Sequence, residues 1–274
     1  MMQVFHAPEE VPPAPTCIAL GTFDGVHLGH RAVLERAVAW AREQRWRSMA
    51  ITFHPHPLEL LTAPREPFLL TTLEERMARM ASTGLQALLV LRFDEALRNT
   101  EPHVFVEMLV HRLGVRGVVC GPGFAFGRDR KGDVHLLERL GTQMGFSVRV
   151  CPPVEVGGTA VSSSRIRALL REGRVEEATG LLGGPYEARI RLRRQVPDPE
   201  GYVGWCEVGP RKMLPAPGTY GVQVQAGEEE REAVAQIRSQ DLILRVSKPL
   251  PASALLRFVH RLAQEPAFAP REGA

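Results

Sequence analysis

The sequence predicts an α/β protein in two parts: a helix-flanked parallel sheet over residues 1–184, then a small antiparallel β domain over residues 185–274. Two features of the pattern carry this. Short apolar runs alternate with helix-length amphipathic runs from Thr16 to about Leu182, as parallel sheets covered on both faces require. The texture then changes after Gly183, Gly184 and Pro185, where apolar and polar residues begin to alternate with a period of two. Composition agrees: 44% of the 274 residues are hydrophobic and 24% charged, enough to bury a sizeable core.

In chain order, Pro12, Pro13 and Pro15 mark an extended lead-in, and residues 17–20 form a compact apolar run stopped by Gly21. Val33, Ala37, Trp40 and Ala41 then recur at helical spacing, opposite Arg36, Arg42 and Glu43. Residues 49–53 read as the next strand, ended by the prolines of residues 54–57. Thr72 and Glu75 suit a capping box for a helix running towards Ser82. Residues 87–91, 115–120 and 147–150 read as three more strands, separated by helices near 102–112 and 134–144. Beyond the boundary, residues 188–194 set Ile190 and Leu192 against Arg189, Arg191 and Arg193. Glycine- and proline-rich stretches at 196–204 and 210–218, strands at 220–224 and 242–246, and a closing helix at 252–263 complete the expectation.

A net charge of +3 is too small and dispersed for a nucleic-acid surface. The four cysteines, Cys17, Cys120, Cys151 and Cys206, are far apart and form no C-x-x-C pair, which fits a reducing interior. The opening residues lack a basic segment followed by an apolar stretch, and no apolar run approaches the ~20 residues of a membrane span. A cytoplasmic protein with no membrane partner is expected.

Two segments carry chemistry. Residues 21–30 (GTFDGVHLGH) follow the first strand and open the first helix, where free backbone N–H groups and the positive helix end seat an anion. His27 and His30 share a face if they lie in the first helical turn, and both can donate hydrogen bonds to a triphosphate. Gly29 between them allows close approach to the backbone. Two histidines at this spacing also suit helix capping, core packing or metal ligation; the position at the carboxyl end of a parallel strand favours phosphate. Residues 162–167 (SSSRIR) place Ser162, Ser163 and Ser164 at a second helix start with Arg165 beside them, a group that suits phosphate oxygens or serves as an ordinary serine cap.

These segments resemble the bacterial bifunctional riboflavin kinase/FAD synthetase family, in its adenylyltransferase half. The resemblance covers residues 16–186. GTFDGVHLGH is similar to the family's ATP-binding signature, and residues 52–57 (TFHPHP) to a T-F-x-P-H-P segment of the flavin branch. Residues 121–127 (GPGFAFG) resemble its G-x-[DN]-F-x-F-G loop, SSSRIR its S-S-T-R-I-R segment, and residues 181–186 the junction before the kinase half. The resemblance implies a Rossmann-like nucleotidyltransferase domain followed by a truncated β-barrel-like domain. It further implies transfer of AMP from ATP to FMN, with FAD and pyrophosphate as products and Mg²⁺ arriving with ATP. The small molecules ATP and FMN are then the partners, and no side chain is needed as a metal ligand. In that scheme His27, His30, Ser164 and Arg165 act in catalysis, with Gly21, Thr22, Phe23, Gly29, Ser162 and Ser163 holding ATP. Phe53, His54, Pro55, His56, Pro57, Phe124, Phe126 and Arg128 would border the flavin.

There are two departures. The Asp/Asn of the G-x-[DN]-F loop is Gly123, and the sequence has a single asparagine, Asn99. The kinase half should carry G-x-P-T-A-N, yet no Ser, Thr or Asn lies between Thr179 and Thr219. Only residues 214–222 (LPAPGTYGV) resemble a kinase strand, so FAD synthesis without riboflavin phosphorylation is expected. Two other readings compete: an H-x-G-H transferase acting on another phosphorylated acceptor, and a flavin- or nucleotide-binding protein without turnover.

Overall fold

A computed structural model describes residues 2–239 and 241–263. The chain divides into two compact units. The first comprises Met1–Arg65 and Leu73–Val161; the second comprises Glu66–Thr72 and the chain from Ser162 onward.

The first unit runs β1 (Gln3–Phe5), β2 (Thr16–Leu20), α1 (Leu28–Gln44), β3 (Arg47–His54), α2 (Pro57–Leu61), α3 (Leu73–Ala81), β4 (Ala87–Arg92), α4 (Glu95–Arg98), α5 (Pro102–Leu113), β5 (Val115–Cys120), α6 (Val134–Met144) and β6 (Ser147–Val150), then a small hairpin of β7 (Glu155–Val156) and β8 (Thr159–Ala160). Strands β1 to β6 form one sheet in the order β1-β4-β3-β2-β5-β6, paired parallel throughout. The central strands β2 to β5 are buried on both faces. Ile18 and Leu20 of β2 join the layer of Phe105, Leu109 and Leu137, whereas Cys17 and Ala19 join that of Leu34, Ala37 and Trp40. Gly117 in β5 is required by this packing, since a Cβ there would lie 2.9 Å from the Trp40 ring. The chain moves outward from β2 to β3 and β4 on one side, then to β5 and β6 on the other. The topological switch therefore lies beside β2, where ligands of such sheets bind.

The second unit opens with α7 (Ser163–Glu172) and α8 (Val175–Leu182), which end at left-handed Gly173 and Gly183. Strands β9 (Tyr186–Asp198), β10 (Gly201–Val208), β11 (Gly218–Ala226), β12 (Glu229–Arg238), β13 (Asp241–Val246) and β14 (Ser253–Arg261) follow. They close into an antiparallel barrel in the order β10-β13-β12-β11-β14-β9. Alternate residues such as Ile190, Val222, Leu244 and Leu256 are buried in it.

The helix expected at 252–263 is strand β14 instead. Its sequence fits both periods, but Ala254, Leu256 and Phe258 are buried at period two. Pairing with β11 on one side and β9 on the other closes the barrel, and no helix could do that. Two strands also occupy stretches read as loops. β10 lies partly within the glycine-rich segment, and β12 begins in the acidic run after a hairpin turn at Gly227 (φ 66°).

Candidate active site

Residues 21–30 leave β2 at the switch point. Phe23 (φ 51°), Gly25 (φ 91°) and Val26 (φ 43°) all adopt left-handed backbone. For a β-branched valine this is strained, and such strain collects where a loop is held in one functional shape. Phe23, Asp24 and Val26 are buried, so the loop is fixed from below.

Helix α1 starts at Leu28, which makes His27 its N-cap rather than a member of the first turn. The His27 Nδ1 accepts from the His30 backbone N–H at 3.2 Å, so a neutral His27 carries its proton on Nε2. The two imidazoles are stacked, with centroids 3.6 Å apart and planes 16° from parallel. Phe23 meets His30 edge-on at 5.4 Å. Capping, expected as an alternative to phosphate binding, thus coexists with the pairing of the rings. Gly29 packs closely on His27: a Cβ there would lie 3.2 Å from His27 Cε1.

Residues 52–57 end β3 and run on into the start of α2, and the loop of residues 121–127 follows β5. Because β2, β3 and β5 are parallel neighbours, all three segments emerge at one edge of the sheet. Their residues play unequal parts there. Thr52 donates from Oγ1 to the Thr22 carbonyl at 2.8 Å, tying the two segments together. Phe53 is half-buried and meets Phe93 edge-on at 6.0 Å; His54 is exposed and precedes a cis bond to Pro55. His56 is buried and caps α2, its Nδ1 accepting from the Leu58 N–H at 3.2 Å, with Pro57 in the first turn. Phe124 stacks on Phe126 at 5.5 Å, but Phe126 is only 7% exposed and packs against Phe105 in the core. Arg128 pairs with Glu101. Gly123 faces open space, with no atom within 4 Å of a built Cβ.

In the second unit Ser162 caps α7, its Oγ accepting from the Arg165 N–H at 3.2 Å. Ser163 is half-buried, while Ser164 and Arg165 are exposed at this helix start. The other arginine of the segment, Arg167, is buried and donates from Nε to the Phe68 carbonyl at 2.8 Å. Sequence reasoning missed two buried cations, Arg76 and Lys212, each 1% exposed. The thiols offer no nucleophile: burial pushes Cys17, Cys120 and Cys206 up to about 12.

A parallel sheet, a strained loop at its switch point and a paired-histidine helix start define the class, an α/β nucleotidyltransferase. Comparison with known proteins makes the class specific. A family model described as FAD synthetase matches residues 10–165, and the chain belongs to that family. It is 30% identical over 263 residues to the bifunctional riboflavin kinase/FMN adenylyltransferase of Escherichia coli (strain K12), covering 93% of this chain and 83% of that protein. The protein of the same description from Pseudomonas fluorescens is 34% identical over 229 residues, 81% of this chain and 72% of that one. The crystal structure of a protein from Streptococcus pneumoniae, described as a macrolide-efflux protein, superposes with a TM-score of 0.84. It covers 99% of this chain and 94% of that one at 22% identity, which establishes the shared fold. The protein is thus an ATP-dependent nucleotidyltransferase of the FAD synthetase family. Among the described residues no helix is long and apolar enough to cross a membrane.

Proposed function

We propose that the protein transfers AMP from ATP to FMN and does not phosphorylate riboflavin. A phosphate oxygen of FMN attacks the α-phosphorus of ATP, the bond from that phosphorus to the bridging oxygen breaks, and pyrophosphate leaves. No protein nucleophile is required, so positioning and charge stabilisation carry the rate. The observation that carries this reading is the stacked His27/His30 pair on a helix N-terminus at the switch point. With Nδ1 engaged in the cap, a neutral His27 carries its proton on Nε2, and that imidazole is assigned with His30 to the phosphates. Ser162, Ser163, Ser164 and Arg165 are assigned to the pyrophosphate end, supported by their own helix start. Phe53, His54 and Phe124 are assigned to the flavin; His56 and Phe126 would shape its site from behind.

Mg²⁺ is part of this reading. Among the described residues no group of three or more His, Cys, Asp and Glu side chains could cage a metal. An ion carried by the phosphates and waters of ATP needs no such cage. Bound there, it neutralises phosphate charge. A cytoplasmic setting is inferred as well, supported by four free, buried thiols.

The chemistry is assigned to residues 1–184 and a non-catalytic role to 185–274. Support for the second assignment comes from the sequence, in which no Ser, Thr or Asn lies between Thr179 and Thr219 to supply the Thr and Asn of the resembled kinase half. In the link between β10 and β11, Lys212 donates from Nζ to the Leu70 and Glu187 carbonyls at 2.6 Å each. Tyr186 donates its hydroxyl to the Met213 carbonyl at 2.6 Å. Incubating the purified protein with Mg-ATP and either FMN or riboflavin, then separating the flavins, tests both assignments. FMN should yield FAD and pyrophosphate, and riboflavin should remain unchanged. Protein-dependent FMN formation from riboflavin would refute the second assignment, and no FAD from FMN the first.

A further inference from the structure

Strands β2 and β3 pair as far as Leu20 opposite Ile51. One last backbone bond follows, from the Gly21 N–H to the Ile51 carbonyl at 3.4 Å. Continued in register, the next row would set Thr22 opposite Phe53. There β2 has ended while Phe53 is still in β3, laddered to Leu91 of β4, so the β2–β3 row is open where the chain enters the two segments that the proposed function gives to ATP and to FMN. Arg76 of α3 occupies that row. Its Nη1 donates to the Thr22 carbonyl at 3.0 Å, to Thr52 Oγ1 at 3.2 Å and to the Phe53 carbonyl at 3.2 Å. Thr52 completes the bridge by donating to the same Thr22 carbonyl.

We infer that Arg76 is a positioning residue of the adenylyl transfer, fixing the nucleotide segment and the flavin segment at one separation across the parted ends of β2 and β3. This rests on the reading of those segments as ATP and FMN sites. A guanidinium suits the task because it is planar, permanently charged and able to donate to several acceptors at once. Burying it is expensive unless its donors are used, so its place on the apolar side of α3, one turn before Met80, calls for acceptors there. The reaction needs the FMN phosphate in line with the α-phosphorus. A misplacement of about 1 Å can lower turnover about 10²-fold without disturbing either binding site alone.

The test compares wild type with Arg76→Met and Arg76→Lys in two measurements. In steady-state FAD synthesis, Arg76→Met should lose about 10²-fold in kcat with KM for ATP and FMN unchanged, and Arg76→Lys should recover part of the loss. In hydrogen–deuterium exchange of the ligand-free protein, peptides covering residues 20–26 and 52–57 should exchange faster in both variants, while barrel peptides keep wild-type rates. Should Arg76→Met fail to fold, the same two readouts on Arg76→Lys decide. Wild-type kcat, a loss confined to KM, or faster exchange throughout the chain would overturn the inference. If wild type makes no FAD, the proposed function fails, and the exchange arm still judges Arg76.

Discussion

Both units bury a cation against backbone carbonyls, and the proposed function gives the two neighbouring loops opposite roles. Arg76 reaches the segment after β2 from a separate helix and takes up the carbonyls of Thr22 and Phe53. The loop it supports keeps its left-handed turns and runs on into the start of α1. Lys212 belongs to its own loop, between β10 and β11, and spends its ammonium on the Leu70 and Glu187 carbonyls. Its Nζ also lies 4.5 Å from the Tyr186 ring centroid. On the proposed function, the cation beneath the first loop leaves a phosphate site open, whereas the cation within the second loop leaves that loop closed to phosphate.

The largest effect should come from the open loop. On the proposed function, His27→Ala or His30→Ala removes a donor to the developing phosphate charge, and turnover should fall about 10²-fold or more. His27→Ala also deletes the α1 cap, which lowers stability by about 1 kcal/mol. His30→Ala spares the cap, so its stability should stay near wild type while its turnover falls as far. Near-wild-type FAD synthesis in both variants would end the catalytic assignment.

In the closed loop the balance reverses. Lys212→Met strands two acceptors, each costing about 1–3 kcal/mol when left unsatisfied. Urea unfolding should register that loss, while the folded variant makes FAD from FMN at an unchanged rate and still makes no FMN from riboflavin. A collapse of FAD synthesis at full stability would show that the comparison has assigned the wrong role to Lys212.

The contrast between these loops explains what the sequence could reveal. Strands β2 to β5 are legible because a strand buried on both faces is a continuous apolar run, as residues 17–20 and 87–91 are. Barrel strands are half-exposed, and their pattern is weaker. β12 opens with Glu229, Glu230 and Arg231, so its first half looks like a solvated loop. In β14, helical and strand periods fit equally well, and only the partner strands decide. The histidine pair was visible because spacing and position are local properties. Arg76 and Lys212 were not, since their acceptors come from 54 residues away at Thr22 and 142 away at Leu70. Their one local trace is a charged residue on an apolar stripe, as with Arg76 beside Met80 on α3.

The smallest expected effect sharpens the comparison from within the first unit. Residues 121–127 emerge beside residues 21–30 and 52–57, yet Gly123 stands where the resembled family has Asp or Asn. Nothing lies within 4 Å of a Cβ built at Gly123, and its backbone is not left-handed, so a side chain fits without strain. Gly123→Asn adds an amide at the open edge of the site, able to donate to or accept from a bound flavin. One such neutral hydrogen bond is worth about 0.5–1.5 kcal/mol, which corresponds to a fall in KM for FMN of roughly 2- to 10-fold. The kcat and the KM for ATP should not change. Stiffening of the loop could mimic part of this gain, because replacing glycine by any residue restricts the backbone. Gly123→Ala isolates that contribution, since it restricts the backbone equally and adds no polar group. Steady-state FAD synthesis at saturating Mg-ATP should therefore rank KM for FMN as wild type highest, Gly123→Ala close behind and Gly123→Asn lowest. Equal values for the alanine and asparagine variants would mean that position 123 does not face the flavin, and the flavin assignment of this loop would then rest on Phe124 alone.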